Sequence, residues 1–321
     1  FPLPRNIASS GRAEVHSTRY SEDIIKLIKF CKNHGFKSAL LLNSSCDGKY
    51  IGDIKYMYRI LKYVKKLEKI GLNSIIVTNP LFLMFLKNNL PNLEIQASVN
   101  CYCQTVEHAK NLQELGIDIL TIDRDINREI DKIKAIKRAT NLKIKMLLNE
   151  GCLLDCPFRK FHFNQMSHLD LKRSQQQAAY IRFGSMACIY LLEKHPEICF
   201  KSPFIRPEDL WRYKGIVDYF KLASRTTDTD VIEVRIEAYR RESFDGNLVS
   251  LFETQGIPKI IKRIDNKKLN KFHFFDKLTT CKKTCTECEY CRILLNETAI
   301  LWDYNLPYSL RKFSSNMELC K

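Results

Sequence analysis

No apolar run in this chain approaches the ~20 residues that a membrane-spanning helix needs, so a helical span is not expected. Neither G-x-G-x-x-G nor G-x-x-x-x-G-K-[ST] occurs, which leaves both standard nucleotide-binding folds without support. H-E-x-x-H and G-x-S-x-G are missing too, and with them the usual signatures of zinc peptidases and serine hydrolases. The stretch Phe1–Ser10 lacks the basic start, long apolar core and small-residue cleavage site of a secretory signal. Acidic residues are outnumbered, 36 Asp and Glu against 52 Lys and Arg, for a formal charge of +16. Such an excess favours an anionic partner: nucleic acid, a phosphorylated or carboxylated small molecule, or an anionic metal cluster. A solvated basic surface would account for it equally well.

What the chain has is length and thiols. Its 321 residues, 45% hydrophobic and 27% charged, suffice for one large domain or two ordinary ones and exclude a disordered composition. Thirteen cysteines are an odd number, so they cannot all pair within the chain. The expected setting is a reducing cytoplasm in which thiolates serve a metal.

From about Ser38 to Leu222 short β-rich runs alternate with amphipathic helices. Strands are expected at Ser38–Leu42, Ser74–Thr78, Glu94–Val99, Ile117–Ile122, Lys143–Leu148, Lys201–Ile205 and Val217–Leu222, with an eighth in Glu14–Ser17 or upstream. The clearest helix is Ile54–Ile70, with Met57, Ile60, Leu61, Val64, Leu67 and Ile70 at helical spacing. Its interleaved Tyr56, Tyr58 and Tyr63 would suit an RNA-facing surface or a plain solvated flank. This alternation predicts an α/β protein, a TIM-like (β/α)8 barrel with a Cys-rich insert and a C-terminal Cys-rich appendage. An open doubly wound sheet is the alternative. The barrel is assigned to residues 1–245, and 246–321 are read as a basic, metal-binding appendage.

In a parallel barrel the residues that follow the strands share the C-terminal rim, where such folds place their chemistry. Here they are Asn43 and Cys46, Asn79, Asn100, Cys101 and Cys103, Asp123 and Arg124, Asn149, Glu150 and Cys152, then Arg206 and Arg225. Glu150 and His162 are the candidates for proton transfer, and Arg206 and Arg225 for holding an anionic group.

Two cysteine groups stand out. Cys281, Cys285, Cys288 and Cys291 form C-x3-C-x2-C-x2-C, close enough to converge on a 4Fe–4S cluster or a structural zinc. The compact run is nearer to ferredoxin spacing than to separated zinc pairs. Its first three cysteines match the radical S-adenosylmethionine motif, but that motif precedes most of its barrel, and the reading is rejected. The second group is Cys152, Cys156 and Cys188, with Cys199 or Cys46 as a fourth ligand of a rim-mounted cluster. Zinc on Cys152, Cys156, His162 and His168 is a further possibility. Arg159, Lys160, Arg206 and Arg225 would offset a cluster's negative charge.

Leu148-Asn149-Glu150-Gly151-Cys152, Cys156-Pro157-Phe158-Arg159 with His162, Ser202 to Leu210, and Tyr219-Phe220-Lys221 resemble the collagenase-like peptidase family U32. Gly71–Pro80, Glu94–Ser98 and Asp123–Asn127 fit the same resemblance, which spans about Gly11 to Leu251. It implies a TIM-barrel-like catalytic domain and two competing activities. One is proteolysis. The other is oxygen-independent hydroxylation of tRNA, ribosomal RNA or quinone precursors, with a 4Fe–4S cluster on four cysteines and, in some members, prephenate as oxygen donor. By that resemblance Cys152, Cys156 and Cys188 are cluster ligands. Glu150-Gly151-Cys152 with C-x3-C departs from the family's strand-end signature and leaves the fourth ligand and the substrate open.

The expectation is therefore a cytoplasmic iron–sulfur enzyme that modifies an anionic substrate, RNA or a small carboxylate, by hydroxylation, with one or two 4Fe–4S clusters or zinc at the C-terminal group. The rivals are a peptidase with structural metal, and an RNA-gripping appendage using Lys262, Arg263, Lys267 and Lys268 beside Phe272, Phe274 and Phe275. A partner subunit completing the site fits either enzyme reading.

Overall fold

The computed structural model of the chain describes residues 21–47, 52–167, 187–223, 228–253 and 256–303. Among these, six parallel strands lie in sequence order: β1 (Ala39–Leu42), β2 (Ser74–Val77), β3 (Glu94–Ala97), β4 (Ile119–Thr121), β5 (Lys143–Leu147) and β6 (Tyr219–Lys221). Between and before them run α1 (Ser21–Asn33), α2 (Ile54–Ile70), α3 (Pro80–Asn89), α4 (Val106–Glu114), α5 (Ile130–Ala139) and, after β5, α6 (Arg159–Ser167) and α7 (187–194). Strands covered on both faces need apolar residues at consecutive positions, and β2 is buried at all four of its positions.

Helix α2 starts where Asp53 accepts the N–H groups of Lys55 and Tyr56. It stops at Gly71, whose φ of +123° is strained for any residue with a Cβ. Tyr56 and Tyr63 belong to the core while Tyr58 is exposed, so the three tyrosines do not share one RNA-facing surface.

One device recurs at the N-terminal ends of the strands. Asn73, Asp118 and Asp218, each just before or at a strand start, accept the N–H of a neighbouring segment: Ser38 at 2.7 Å, Ile95 at 2.8 Å and Ile144 at 2.6 Å. These clips fix the parallel register, for example Ala39 beside Ser74 and Lys145 beside Tyr219. With that edge stitched by side chains, the opposite ends of the strands are left for other chemistry.

The strand order never reverses, which sets the sheet apart from a doubly wound fold. It forms a curled half-barrel: β1 and β6 are its edges, and no pairing between them closes it among the described residues. The strand expected at Lys201–Ile205 is not formed. Pro196–Lys201 is a 3₁₀ helix, Pro203 has no N–H for a ladder, and the segment reaches the sheet through the Ile205 N–H to the Leu148 carbonyl at 2.8 Å. The eighth strand, placed in Glu14–Ser17, lies outside the described residues.

The C-terminal region adds α8 (Thr229–Arg240), α9 (Ile257–Ile260), β7 (Ile261–Ile264), α10 (Phe274–Thr279), α11 (Tyr290–Thr298) and β8 (Ala299–Leu301), with β7 and β8 antiparallel. Leu248, Leu251, Phe252, Ile261, Phe274 and Leu294 enter the same continuous core as the six strands. The boundary expected between residues 245 and 246 therefore falls within one packed interior. Arg128 reinforces it, lying 4.9 Å from the Phe204 ring and 5.4 Å from that of Phe274 while donating to the Phe204 carbonyl at 2.8 Å. No helix among the described residues is long and apolar enough to cross a membrane.

The clip at Asp218 yields a pH-dependent prediction. Partial burial pushes its carboxyl up, but the Lys137 ammonium at 2.6 Å and the Ile144 N–H outweigh that and hold it below the usual carboxylate range. A depressed carboxyl stabilises the fold above its unfolded pKa, and the gain disappears as pH falls through the folded value. Asp218→Asn should cost about 1 kcal/mol in urea unfolding at pH 7. The gap to the parent should close as the pH is lowered below about 4.

Candidate functional site

At the C-terminal ends of β3, β4 and β5 the chain buries charge. Asp123 ends the β4 segment and accepts the Asp125 N–H at 3.3 Å, starting a short 3₁₀ turn that carries Arg124 inward. Arg124 is only 1% exposed. Its Nη1 lies 3.3 Å from Glu150 Oε2, its Nη2 donates to Asn100 Oδ1 at 3.1 Å, and its guanidinium lies 4.9 Å from the Phe163 ring of α6. Glu150 in turn accepts the Cys152 N–H at 3.1 Å, so the carboxylate that balances the arginine also fixes the start of the cysteine loop.

A second buried arginine holds that loop's far end. Arg159, at the start of α6, pairs with Asp125 and donates to the Leu153 carbonyl. The Asp155 N–H reaches the other Asp125 oxygen at 3.3 Å. The segment from Cys152 to Cys156 is thus clamped to the β4 end by two ion pairs, each charge having an opposite partner in the protein interior.

Cys152 and Cys188 both lie within electrostatic reach of Glu150 and Arg159, and Cys188 also of Cys156. Cys152 and Cys188, from two separate stretches of chain, thus share the surroundings of the Glu150 carboxylate and the Arg159 guanidinium. Burial, then the Glu150 carboxylate, pushes the Cys152 thiol well up, against the pull of Arg124 and Arg159. Burial and the neighbouring Cys156 push Cys188 up to about 12. Such thiols keep their protons unless a metal ion takes the proton's place.

Several polar atoms here have no protein partner among the described residues: Arg124 Nε, Arg159 Nε, the Tyr102 hydroxyl and Gln165 Oε1. Tyr102 follows β3 in a left-handed conformation, φ 53°, with the Lys160 ammonium 5.3 Å from its ring. Buried polar groups are normally paired, so the unpartnered Nε atoms of Arg124 and Arg159 are donors free to take the oxygen atoms of a ligand.

The other expected residues are placed differently. Cys199 is fully buried, and its electrostatic neighbours are Cys291 and Glu197, so it lies with the C-terminal cysteine group and not with Cys152, Cys156 and Cys188. Cys46 follows β1 in a loop tied to α6, the Ser45 N–H donating to Ser167 Oγ at 2.9 Å. His162 is half-buried on α6 beside Phe163. Arg206, expected to hold substrate, is committed elsewhere: a bidentate pair with Asp209 at 2.8 and 3.0 Å, and Nη1 donating to the Asn266 carbonyl and Asn270 Oδ1. It ties the barrel side to the C-terminal region. Asn149 is a clip as well, bonded to Ala223 and to the Leu251 carbonyl. Phe274 and Phe275 are core residues and offer no stacking platform for bases. Arg225 and His168 lie outside the described residues.

Cys281, Cys285, Cys288 and Cys291 line one cavity of 290 Å³. A neighbouring cavity of 320 Å³ runs between them and the rim, touching Asp125, Leu154, Lys201 and Lys283. Among the described residues no three His, Cys, Asp or Glu side chains are drawn tightly enough together to hold a single metal ion, and the twelve cysteines described form no disulfide.

Residues 8–153, from upstream of α1 to the first rim cysteines, match the model of peptidase family U32. An uncharacterized protease of Methanocaldococcus jannaschii is 33% identical over 289 residues, covering 89% of this chain and 83% of that protein. The chain belongs to peptidase family U32. A 23S rRNA 5-hydroxycytidine synthase of Escherichia coli is 27% identical over 144 residues, 44% of this chain but 20% of that enzyme. The solved structure of a U32 peptidase superposes with a TM-score of 0.46 at 16% identity, covering 56% of this chain and 74% of that one.

Within this U32 chain, Asn100 and Arg124 are marked by position at strand ends, whereas Asp125 and Tyr102 carry no signal beyond their neighbours. The charge pair itself is testable. Glu150→Ala strands Arg124 in the interior and should cost about 3 kcal/mol, since breaking a buried pair leaves an uncompensated charge. The double variant Glu150→Gln with Arg124→Met should recover most of that loss in chemical denaturation.

Proposed function

We propose that this U32 chain is an iron–sulfur enzyme that hydroxylates an anionic substrate, RNA by preference, without molecular oxygen. The observation that supports the reading is that Cys152 and Cys188 both lie within electrostatic reach of Glu150 and Arg159, with Cys156 near Cys188. Half-buried thiols near guanidinium groups suit a 4Fe–4S cluster, whose negative charge with its thiolates needs such offsets. Of the two fourth ligands expected from the sequence, Cys46 is the one retained, because Cys199 has Cys291 as its electrostatic neighbour. When bound, the cluster supplies one-electron chemistry and an iron able to polarise an oxygen-bearing group.

The chain's own residues do the rest. Arg124, with Nε unpartnered and the side chain buried, is the donor placed to hold an anionic oxygen, the task first assigned to Arg206. Glu150 fixes Arg124 and the Cys152 backbone together, so it positions both. The +16 charge favours a polyanion, and the relative named as acting on 23S rRNA supports that substrate class. Hydroxylation without oxygen gas balances when the oxygen comes from an organic hydroxyl donor: one C–H becomes C–OH, and the donor's C–OH becomes C–H.

The rival reading is proteolysis, favoured by the name of the M. jannaschii relative. Anaerobic purification followed by iron, sulfide and visible-spectrum measurements separates the two. The expected result is a brown protein whose rim iron is lost in Cys152→Ala and Cys156→Ala. A protein that takes up no iron on reconstitution, and cleaves casein even as Cys152→Ala, would establish the rival.

A further inference from the structure

The four C-terminal cysteines have no part in the rim chemistry, yet the fold takes trouble to place them. They occupy the link from α10 to α11, with Cys291 in the first turn of α11. Helix α11 packs against the 3₁₀ helix Pro196–Lys201, which brings Lys201 to the cysteines: its Nζ lies 2.8 Å from Cys285 Sγ. The Lys283 N–H points at Cys281 Sγ at 3.4 Å, and Lys283 has a positive φ of 61° that turns the loop around that sulfur. The Lys283 side chain reaches out to Asp155, at 2.8 Å, in the loop between Cys152 and Cys156. Lys201, Lys277, Lys282 and Arg292 share the cavity wall with the four thiols.

The surrounding cations would offset the negative charge of a metal centre bound by these four sulfurs. The four cysteines form one compact C-x3-C-x2-C-x2-C run, nearer to ferredoxin spacing than to separated zinc pairs, and all four line a single cavity. A cuboidal cluster accepts its four thiolates at separate corners, around a cavity that the cluster itself fills.

We propose that Cys281, Cys285, Cys288 and Cys291 hold a 4Fe–4S cluster of their own, distinct from any rim cluster, with Lys201 as its charge partner through Cys285. The Asp155–Lys283 ion pair then joins the two cysteine loops directly. The assignment does not rest on the hydroxylase reading.

The test uses the full chain, reconstituted anaerobically with ferrous iron and sulfide, beside the double variants Cys285→Ala/Cys288→Ala and Cys152→Ala/Cys156→Ala. With both sites filled the parent binds about eight irons and each double variant about four. If the rim reading fails and this one holds, the parent binds about four, the C-terminal variant none, and the rim variant is unchanged. Iron content unaltered by Cys285→Ala/Cys288→Ala, or zinc without sulfide at this site, overturns the proposal. Lys201→Met leaves the cysteines and fold intact. It should retain the cluster and shift its reduction potential to more negative values, because a positive charge beside sulfur favours the reduced state. An unchanged potential removes Lys201 from the site.

Discussion

The burial of Arg124 against Glu150 is the constraint from which the rest of the rim follows. A guanidinium cannot shed its charge, so an interior arginine must bring a carboxylate and acceptors with it. Glu150 supplies the charge and Asn100 an acceptor, and both are held by strand ends two apart in the sheet. Because Glu150 also accepts the Cys152 N–H, neutralising the arginine and aiming the cysteine loop are a single act of folding. Arg159 and Asp125 repeat the arrangement at the loop's other end.

Such a rim tolerates little movement, and the sheet beneath it is built accordingly. The clips at Asn73, Asp118 and Asp218 lock the strands at the edge away from the site, where chemistry makes no demands. Arg128 and Arg206 lock the C-terminal region onto the same core. The half-barrel thus gains from side-chain ties some of the rigidity that a closed barrel obtains from its last strand pairing. The C-terminal cysteines inherit that rigidity through α11.

Six of the seven strands named from composition are present, each a short β-rich run between helices, of which Ser74–Val77 is buried at every position. At Lys201–Ile205, by contrast, Pro203 denies the segment a ladder bond, a signal the sequence did contain. Rim positions were legible because strand ends are countable. Partners were not. Arg206 is a strand-end arginine by position, yet Asp209 three residues on claims it, as the short spacing permits. Cys199 looked interchangeable with Cys46 as a fourth ligand, since only the packing of α11 decides which cysteine group it joins. Tyr56 and Tyr63 alternate with basic residues in the chain but turn inward on the helix.

The central claim is that Cys152, Cys156 and Cys188 meet at the strand ends to hold iron beside Arg124. Anomalous diffraction at the iron edge, from crystals grown and cooled without oxygen, addresses it most directly. The account predicts a compact iron peak bounded by those three sulfurs, next to the Glu150–Arg124 pair. Fully loaded crystals with no peak there, and with the three thiols free, would contradict it.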